Sequence, residues 1–228
     1  MPAKSSVADG ATIGPRELLR KLRVFTSDAA KEVQEFAEEV GPLSCRRGCD
    51  NCCRQKVIMT TSEGLGVYLY LRDEGRWSGE LEARLAEEDA YATRTSHDEW
   101  WREKRACPFL KDGECGVYPV RPLGCISTFS TNDPKFCGAT EVEPGQGQMQ
   151  IHAPEAPAMW TLGSFLTSLD NGIPGSGYMT LAGAVLAGAR LATGREPRRA
   201  LALPIGRDPS TLIERFDAAG KSFDFHDS

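Results

Sequence analysis

Several features that define other classes of protein are missing from this sequence of 228 residues. Its one candidate membrane segment, residues 178–192, is only about fifteen residues long and is flanked by Arg190 and Arg195, too short to span a bilayer. Basic residues are not in excess, because 32 acidic side chains oppose 27 basic ones for a net charge of -5. We therefore expect neither a membrane protein nor a nucleic-acid-binding protein. A hydrophobic content of 40% is enough to build a core, which argues against disorder.

Histidine is also scarce. His97, His152 and His226 are spread over a charged helix, a connector and the tail of the chain. We interpret all three as solvated or packing residues rather than metal ligands. The sequence has no Ser-His-Asp order, phosphate-binding loop or paired carboxylate motif, so it gives no sign of those catalytic chemistries.

Cysteine, in contrast, is abundant and clustered between residues 45 and 137. The eight cysteines are Cys45, Cys49, Cys52, Cys53, Cys107, Cys115, Cys125 and Cys137. Residues 1–15 lack the continuous apolar core of a signal sequence, so we expect the chain in the reducing cytoplasm. In that compartment clustered thiols favour metal ligands or redox groups over structural disulfides.

The first four cysteines lie within nine residues, in the pattern Cys45-x3-Cys49-x2-Cys52-Cys53. A Cys-x2-Cys step lets a turning backbone present two sulfurs to one metal. Adjacent side chains of extended backbone point to opposite sides, so we expect Cys52 and Cys53 not to serve one mononuclear ion. One of them would face a second centre or remain a redox thiol. Four nearby cations are candidates for offsetting thiolate charge: Arg46, Arg47, Arg54 and Lys56.

The later cysteines begin 54 positions after Cys53, so only the tertiary fold can bring the two stretches together. Prolines fix the backbone around them, and Gly116 and Gly124 leave room beside neighbouring sulfurs. Arg121, four residues before Cys125, either donates hydrogen bonds to a sulfur or a bound anion, or forms a salt bridge.

These stretches resemble the YkgJ-type cysteine-cluster family, described as zinc- or iron-chelating. The resemblance covers about residues 45–137 and is carried by Cys49-x2-Cys52-Cys53, Thr60-x2-Glu63, Cys107-Pro-Phe-Leu and Tyr118-x2-Arg121-Pro122-x2-Cys125. It implies a bound metal, with all eight cysteines as candidate ligands and Tyr118 and Arg121 as candidate cofactor contacts. The chain differs from the family pattern in the longer step from Cys45 to Cys49 and in Ile126, where an arginine often stands.

The apolar periodicity predicts a mainly α fold: a disordered leader at 1–14 and a single helical domain at 15–228, with an irregular cysteine-rich loop region between helices. Helices are predicted at 15–40, from a capping residue at Thr61 or Ser62 to about Gly75, and at 79–105, 158–169, 178–192 and 209–219. Asp112-Gly113 predicts a tight hairpin, and Met149 and Ile151 a short strand in the connector 138–157.

Three functions remain open at this point. Eight thiols and little histidine favour an iron–sulfur protein, with a four-iron cluster, an electron-transfer or redox-sensing role and a redox partner protein. The alternative is one or two structural zinc sites in a scaffold or interaction module. The third is an S-adenosylmethionine enzyme performing methyl transfer, indicated by the spacing of Cys45, Cys49 and Cys52, although Asn51 stands where an aromatic residue is usual. Whether the protein is an enzyme, the number of centres and its oligomeric state stay undetermined by the sequence.

Overall fold

The computed structural model describes residues 14–46, 48–138, 149–150, 157–173 and 175–194. Within these residues the protein is mainly helical, which confirms the predicted fold class. The helices are α1 (Pro15–Val40), α2 (Thr61–Asp73), α3 (Gly79–Arg94), α4 (His97–Glu103), α5 (Leu123–Ile126), α6 (Pro157–Asn171) and α7 (Leu181–Ala192). Six short strands form three antiparallel pairs: β1 (Ile58–Thr60) with β6 (Tyr178–Thr180), β2 (Leu110–Lys111) with β3 (Glu114–Cys115), and β4 (Thr128–Phe129) with β5 (Met149–Gln150).

Helix α1 has the predicted bounds because both ends carry strong local signals. Pro15 occupies the first helical position, where its missing N–H is not needed, and Gly41 follows the last turn. Its apolar face is buried along its length, from Leu18 to Ala37. Phe25 on this face meets Phe165 of α6 edge to face, with ring centroids 5.1 Å apart.

Helices α2 and α7 pack against each other at the centre of the fold, and glycine makes their close approach possible. A Cβ on Gly64 would lie 2.0 Å from the carbonyl oxygen of Ala184, and one on Gly188 would lie 2.4 Å from the backbone of Leu65. Every residue of α7 from Leu181 to Ala189 is buried. The prediction of a buried, closely packed helix here is confirmed.

The predicted helix at 178–192 is wrong in its first turn. Residues 178–180 form β6, whose Met179 lies opposite Met59 of β1. Thr180 then caps α7, with its side chain accepting a hydrogen bond from the Gly183 N–H. Thr60 caps α2 in the same way, one residue before the predicted Thr61, because Glu63 completes a capping box with it. Pairing between β1 and β6 thus outweighs local helix propensity.

The predicted helix at 79–105 is two helices, α3 and α4. Ser96 accepts a hydrogen bond from the Glu99 N–H, and the Glu99 carboxylate accepts one from the Ser96 N–H, so a new helix starts there. The remaining predictions for this part hold: Asp112 and Gly113 have φ of 53° and 77° in the β2–β3 turn, and residues 107–137 are largely loop.

Some predictions lie outside the described residues: the leader at 1–13, most of the connector, the helix at 209–219, His152 and His226. In the part of the chain that is described, no helix combines the length and apolar character needed to cross a membrane.

Candidate metal centre

None of the eight cysteines forms a disulfide, and their mutual electrostatic effects divide them into three sets. We call Cys45, Cys49 and Cys137 the outer group, Cys107, Cys115 and Cys125 the inner group, and Cys52 with Cys53 the vicinal pair. Cys107 donates its backbone N–H to Cys53, and the pKa of Cys45 responds to both Cys52 and Cys137, so the early and late stretches of sequence meet in the fold.

The outer group is held by the loop that follows β4. Ser44 donates its N–H to the Ser130 carbonyl at 2.8 Å, and Ser130 returns its own N–H to the Cys45 sulfur at 3.3 Å. Cys45 is exposed, so this side of the cluster reaches the protein surface. A backbone N–H that faces a sulfur stabilises negative charge on it, as in thiolate metal sites.

Asn51 joins the other two members of the outer group. Its side-chain amide donates to the Pro134 carbonyl at 3.0 Å and lies 3.9 Å from the Cys49 sulfur. Pro134 opens the 3-10 helix Pro134–Gly138, which contains the buried Cys137. Asn51, which lies between Cys49 and Cys52 in the sequence, therefore anchors a segment more than 80 residues later in the chain.

The vicinal pair lies in a 3-10 helix, Asn51–Arg54, and not in extended backbone. The two thiols hydrogen-bond each other, which lowers the pKa of Cys52 to about 7 and raises that of Cys53. The expectation that they point to opposite sides is wrong, because it assumed an extended chain. The pair still faces both groups, since the pKa of Cys45 is sensitive to Cys52 and that of Cys53 to Cys107 and Cys115.

The inner group is attached to the vicinal pair through the backbone. Cys107 donates its N–H to the Cys53 carbonyl at 2.7 Å, and Cys115 is carried by β3 of the following hairpin. Cys125 lies in α5, whose first N–H, that of Leu123, donates to the Glu63 carboxylate at 2.7 Å.

Burial keeps most of these thiols protonated. It raises the pKa of Cys107 to about 11 and that of Cys125 well above its ordinary value of 9.0, with neighbouring sulfurs adding to both. Burial is also the first cause of the raised pKa of Cys45 and Cys115. A metal binding here must displace these protons, so its affinity depends on thiolate formation.

Arg121 is the cation that faces the cluster. It lowers the pKa of Cys52, Cys115 and Cys125 against the effect of burial on each thiol. Its guanidinium carbon lies 4.3 Å from the centre of the Tyr118 ring, and its Nε is buried without a hydrogen-bond partner among the described residues. The sequence left two roles open for Arg121, contact with sulfur or a salt bridge. The geometry agrees with the first, and no salt bridge of Arg121 is found among the described residues.

Two of the four cations expected to offset thiolate charge, Arg54 and Lys56, are engaged elsewhere. Arg54 lies 2.8 Å from the Asp50 carboxylate, and Lys56 donates to the Thr95 carbonyl at 2.7 Å. Arg46 is exposed, and position 47 lies outside the described residues. Arg76, which the sequence did not single out, lowers the pKa of Cys115 instead. Sequence proximity to a cysteine is thus a poor guide to which cation faces it.

Two further residues position the cluster. Glu63 accepts from the Thr60 N–H with one oxygen and from the Leu123 N–H with the other, both at 2.7 Å, so one carboxylate links α2 to the helix of Cys125. Trp100 is 4% exposed and donates its indole N–H to the Arg54 carbonyl at 3.1 Å, beside the vicinal pair. The Thr60-x2-Glu63 pattern signals the capping role of Glu63, but nothing in the sequence signals its second bond.

The donor set fits a thiophilic metal. Its described ligand candidates are all sulfur, and the buried Arg121 Nε lacks a partner that an anionic metal–thiolate centre would supply. Within the described ranges, no three Cys, His, Asp or Glu side chains are spaced to hold an ion.

Comparison with known proteins gives one match. A family model, CxxCxxCC, described as "Putative zinc- or iron-chelating domain", matches residues 44–142. No curated protein and no solved structure matches the chain. The matched segment contains all eight cysteines, Glu63 and Arg121. Residues 44–142, less than half of the chain, are thus similar to the CxxCxxCC domain family, and this similarity supports metal binding by the cysteine-rich segment.

Proposed function

We propose that the protein is an iron–sulfur protein with an electron-transfer or redox role. The observation that carries this proposal is Arg121, whose buried Nε has no partner within the described structure and which acts on three thiols from both sequence stretches. Four thiolates leave excess negative charge on an iron–sulfur cluster, and a buried guanidinium stabilises that charge and donates hydrogen bonds to sulfur.

The inner group together with Cys53 supplies four thiols for a four-iron cluster. Cys107 is bonded to Cys53 through the backbone, and the charges of Cys107 and Cys115 affect the pKa of Cys53. The outer group with Cys52 supplies a second set of four, for a second centre or for support of the first. A bound cluster would accept and release one electron, while Arg121, Tyr118 and the backbone N–H groups would set its potential.

A partner protein has access to this region. Cys45 is exposed and the Tyr118 side chain is 56% exposed, stacked on the Arg121 guanidinium. Electron transfer needs a centre close to the surface, and these residues bring the cluster region there. Clustered cysteines that serve as metal ligands need a reducing compartment, so we propose a cytoplasmic location.

Structural zinc is the second candidate, and the loop region favours it. Between Cys107 and Cys137 the elements are two- to five-residue strands and helices, too short to be stable alone. Thiolate zinc sites stabilise such loops, and a zinc site would leave the protein without a redox signal.

Purification without oxygen tests the proposal. We expect a brown protein with about four iron and four acid-labile sulfide per cluster and a reversible one-electron couple. Cys107→Ser should abolish the cluster of the inner group, whereas Cys137→Ser should leave that cluster in place. A colourless protein with stoichiometric zinc and no sulfide would contradict the iron–sulfur proposal and support the zinc site.

A further inference from the structure

A second candidate site lies beside the cysteine cluster, in a cavity of about 320 Å³ between the start of α3 and residues 108–111. Its accessible apolar lining consists of the half-buried Leu81, Pro108 and Leu110, which lie over the buried Leu71 and Phe109. Sites for small organic ligands have about this volume and combine an apolar lining with a few polar groups.

The charged residues of this cavity are mostly cations. Arg76, Arg84 and Lys111 line it, against a single acid, Glu80. This excess of positive charge occurs in a chain whose net charge is -5, so the cavity is locally opposite in sign to the whole protein. A cavity lined by one sign of charge concentrates ligands of the other sign.

Hydrogen bonds to the backbone fix both arginines. Arg76 donates to the Gly116 carbonyl, and Arg84 donates to the Pro108 carbonyl at 3.0 Å. A guanidinium has five N–H donors, so these contacts leave others for a ligand. Neither arginine forms an ion pair with the acids of the described chain.

Gly116 makes this arrangement possible. A Cβ at this position would lie 2.8 Å from the Arg76 guanidinium nitrogen and 2.8 Å from the Phe109 carbonyl oxygen. We expected Gly116 to leave room for a neighbouring sulfur. The structure shows instead that it leaves room for the Arg76 guanidinium.

We propose that this cavity binds a small organic carboxylate, with the acid group on the Arg76, Arg84 and Lys111 side and the apolar body on Leu81, Pro108 and Leu110. Carboxylate matches the planar donor pattern of arginine, and the apolar lining favours an organic anion over an inorganic one. The site does not depend on the metal proposed above.

Calorimetric titration of the full chain with phenylacetate at low salt tests the site. We expect saturable binding that weakens about tenfold in Arg84→Gln and in Lys111→Gln, or about 1.4 kcal/mol each. Arg94→Gln, at the other end of α3, is the matched control and should bind as the wild type does. Circular dichroism verifies that each variant is folded.

Two other probes sharpen the result. Phenylethanol, which lacks the charge, and inorganic phosphate, which lacks the apolar body, should both bind at least tenfold more weakly than phenylacetate. No binding of phenylacetate, equal binding of phosphate, or equal loss in Arg94→Gln would overturn the proposal. Metal and sulfide analysis of the same samples tests the metal centre separately, so failure of one does not imply failure of the other.

Discussion

Replacing Glu63 by alanine should destabilise the protein and release the helix that carries Cys125. Its carboxylate accepts the Thr60 and Leu123 N–H groups, both at 2.7 Å, and is the only described side chain bonded to the first N–H of α5. The variant leaves two backbone donors without this acceptor. It also removes half of the Thr60–Glu63 capping box.

The size of the effect follows from these two bonds. A hydrogen bond to a charged group contributes about 1.5 to 3 kcal/mol, and burial of the carboxylate, which raises its pKa, offsets part of that gain. We therefore expect Glu63→Ala to lower the free energy of unfolding by about 3 kcal/mol. Glu63→Gln keeps one acceptor oxygen and should lose about half as much, about 1.5 kcal/mol.

Urea unfolding at neutral pH measures these differences. Glu39→Ala is the matched control, since Glu39 is exposed on α1 and should change stability by less than about 0.5 kcal/mol. Metal content of the purified variants gives a second measurement, and Glu63→Ala should retain less metal than Glu63→Gln. If Glu63→Ala unfolded like Glu39→Ala and kept its full metal content, the linking role assigned to Glu63 would be refuted.

Three more predictions follow from the structure. Burial raises the pKa of Glu63 in the folded state above 4.5. The stability advantage of wild type over Glu63→Gln should therefore be largest below pH 4.5 and decline as the pH rises through the folded-state pKa of Glu63. Urea unfolding at a series of pH values measures this advantage. Gly64→Ala places a Cβ 2.0 Å from the Ala184 oxygen and should lower the thermal midpoint sharply or prevent folding, whereas Gly79→Ala, with nothing within 4 Å, should not. Removing the metal by chelation should increase amide exchange in residues 107–137 while the α2–α7 core stays protected, and uniform exchange throughout would count against a local centre.

Local signals decided which parts of the fold were predictable. Helix α1 has a proline at its start, a glycine after its end and a continuous apolar face, so its bounds follow from the sequence. Residues 178–180 read as the start of a helix because their partner, β1, is more than a hundred residues away. The break between α3 and α4 depends on a capping box formed by Ser96 and Glu99. Its Ser-x2-Glu pattern is present in the sequence, but the surrounding charged residues make it hard to recognise.

The site divides in the same way. Residue type and spacing identified the thiols, whereas the position of Arg121 four residues before Cys125 left its role open between contact with sulfur and a salt bridge. Asn51 bonds to Pro134, 83 positions later, and Glu63 bonds to Leu123, 60 positions later. Contacts over such separations leave no pattern in the local sequence from which they could be predicted. The vicinal pair was misjudged because its backbone conformation, a 3-10 helix, could not be told from its sequence.

X-ray absorption at the edge of the metal bound in the purified protein tests the central claim most directly. If thiols from both sequence stretches hold the metal, its first shell should contain about four sulfurs at about 2.3 Å. Cys53→Ser and Cys125→Ser should each reduce the sulfur count. A shell of nitrogen and oxygen, or a sulfur count that one of these two variants leaves unchanged, would contradict the convergence of early and late cysteines on one metal.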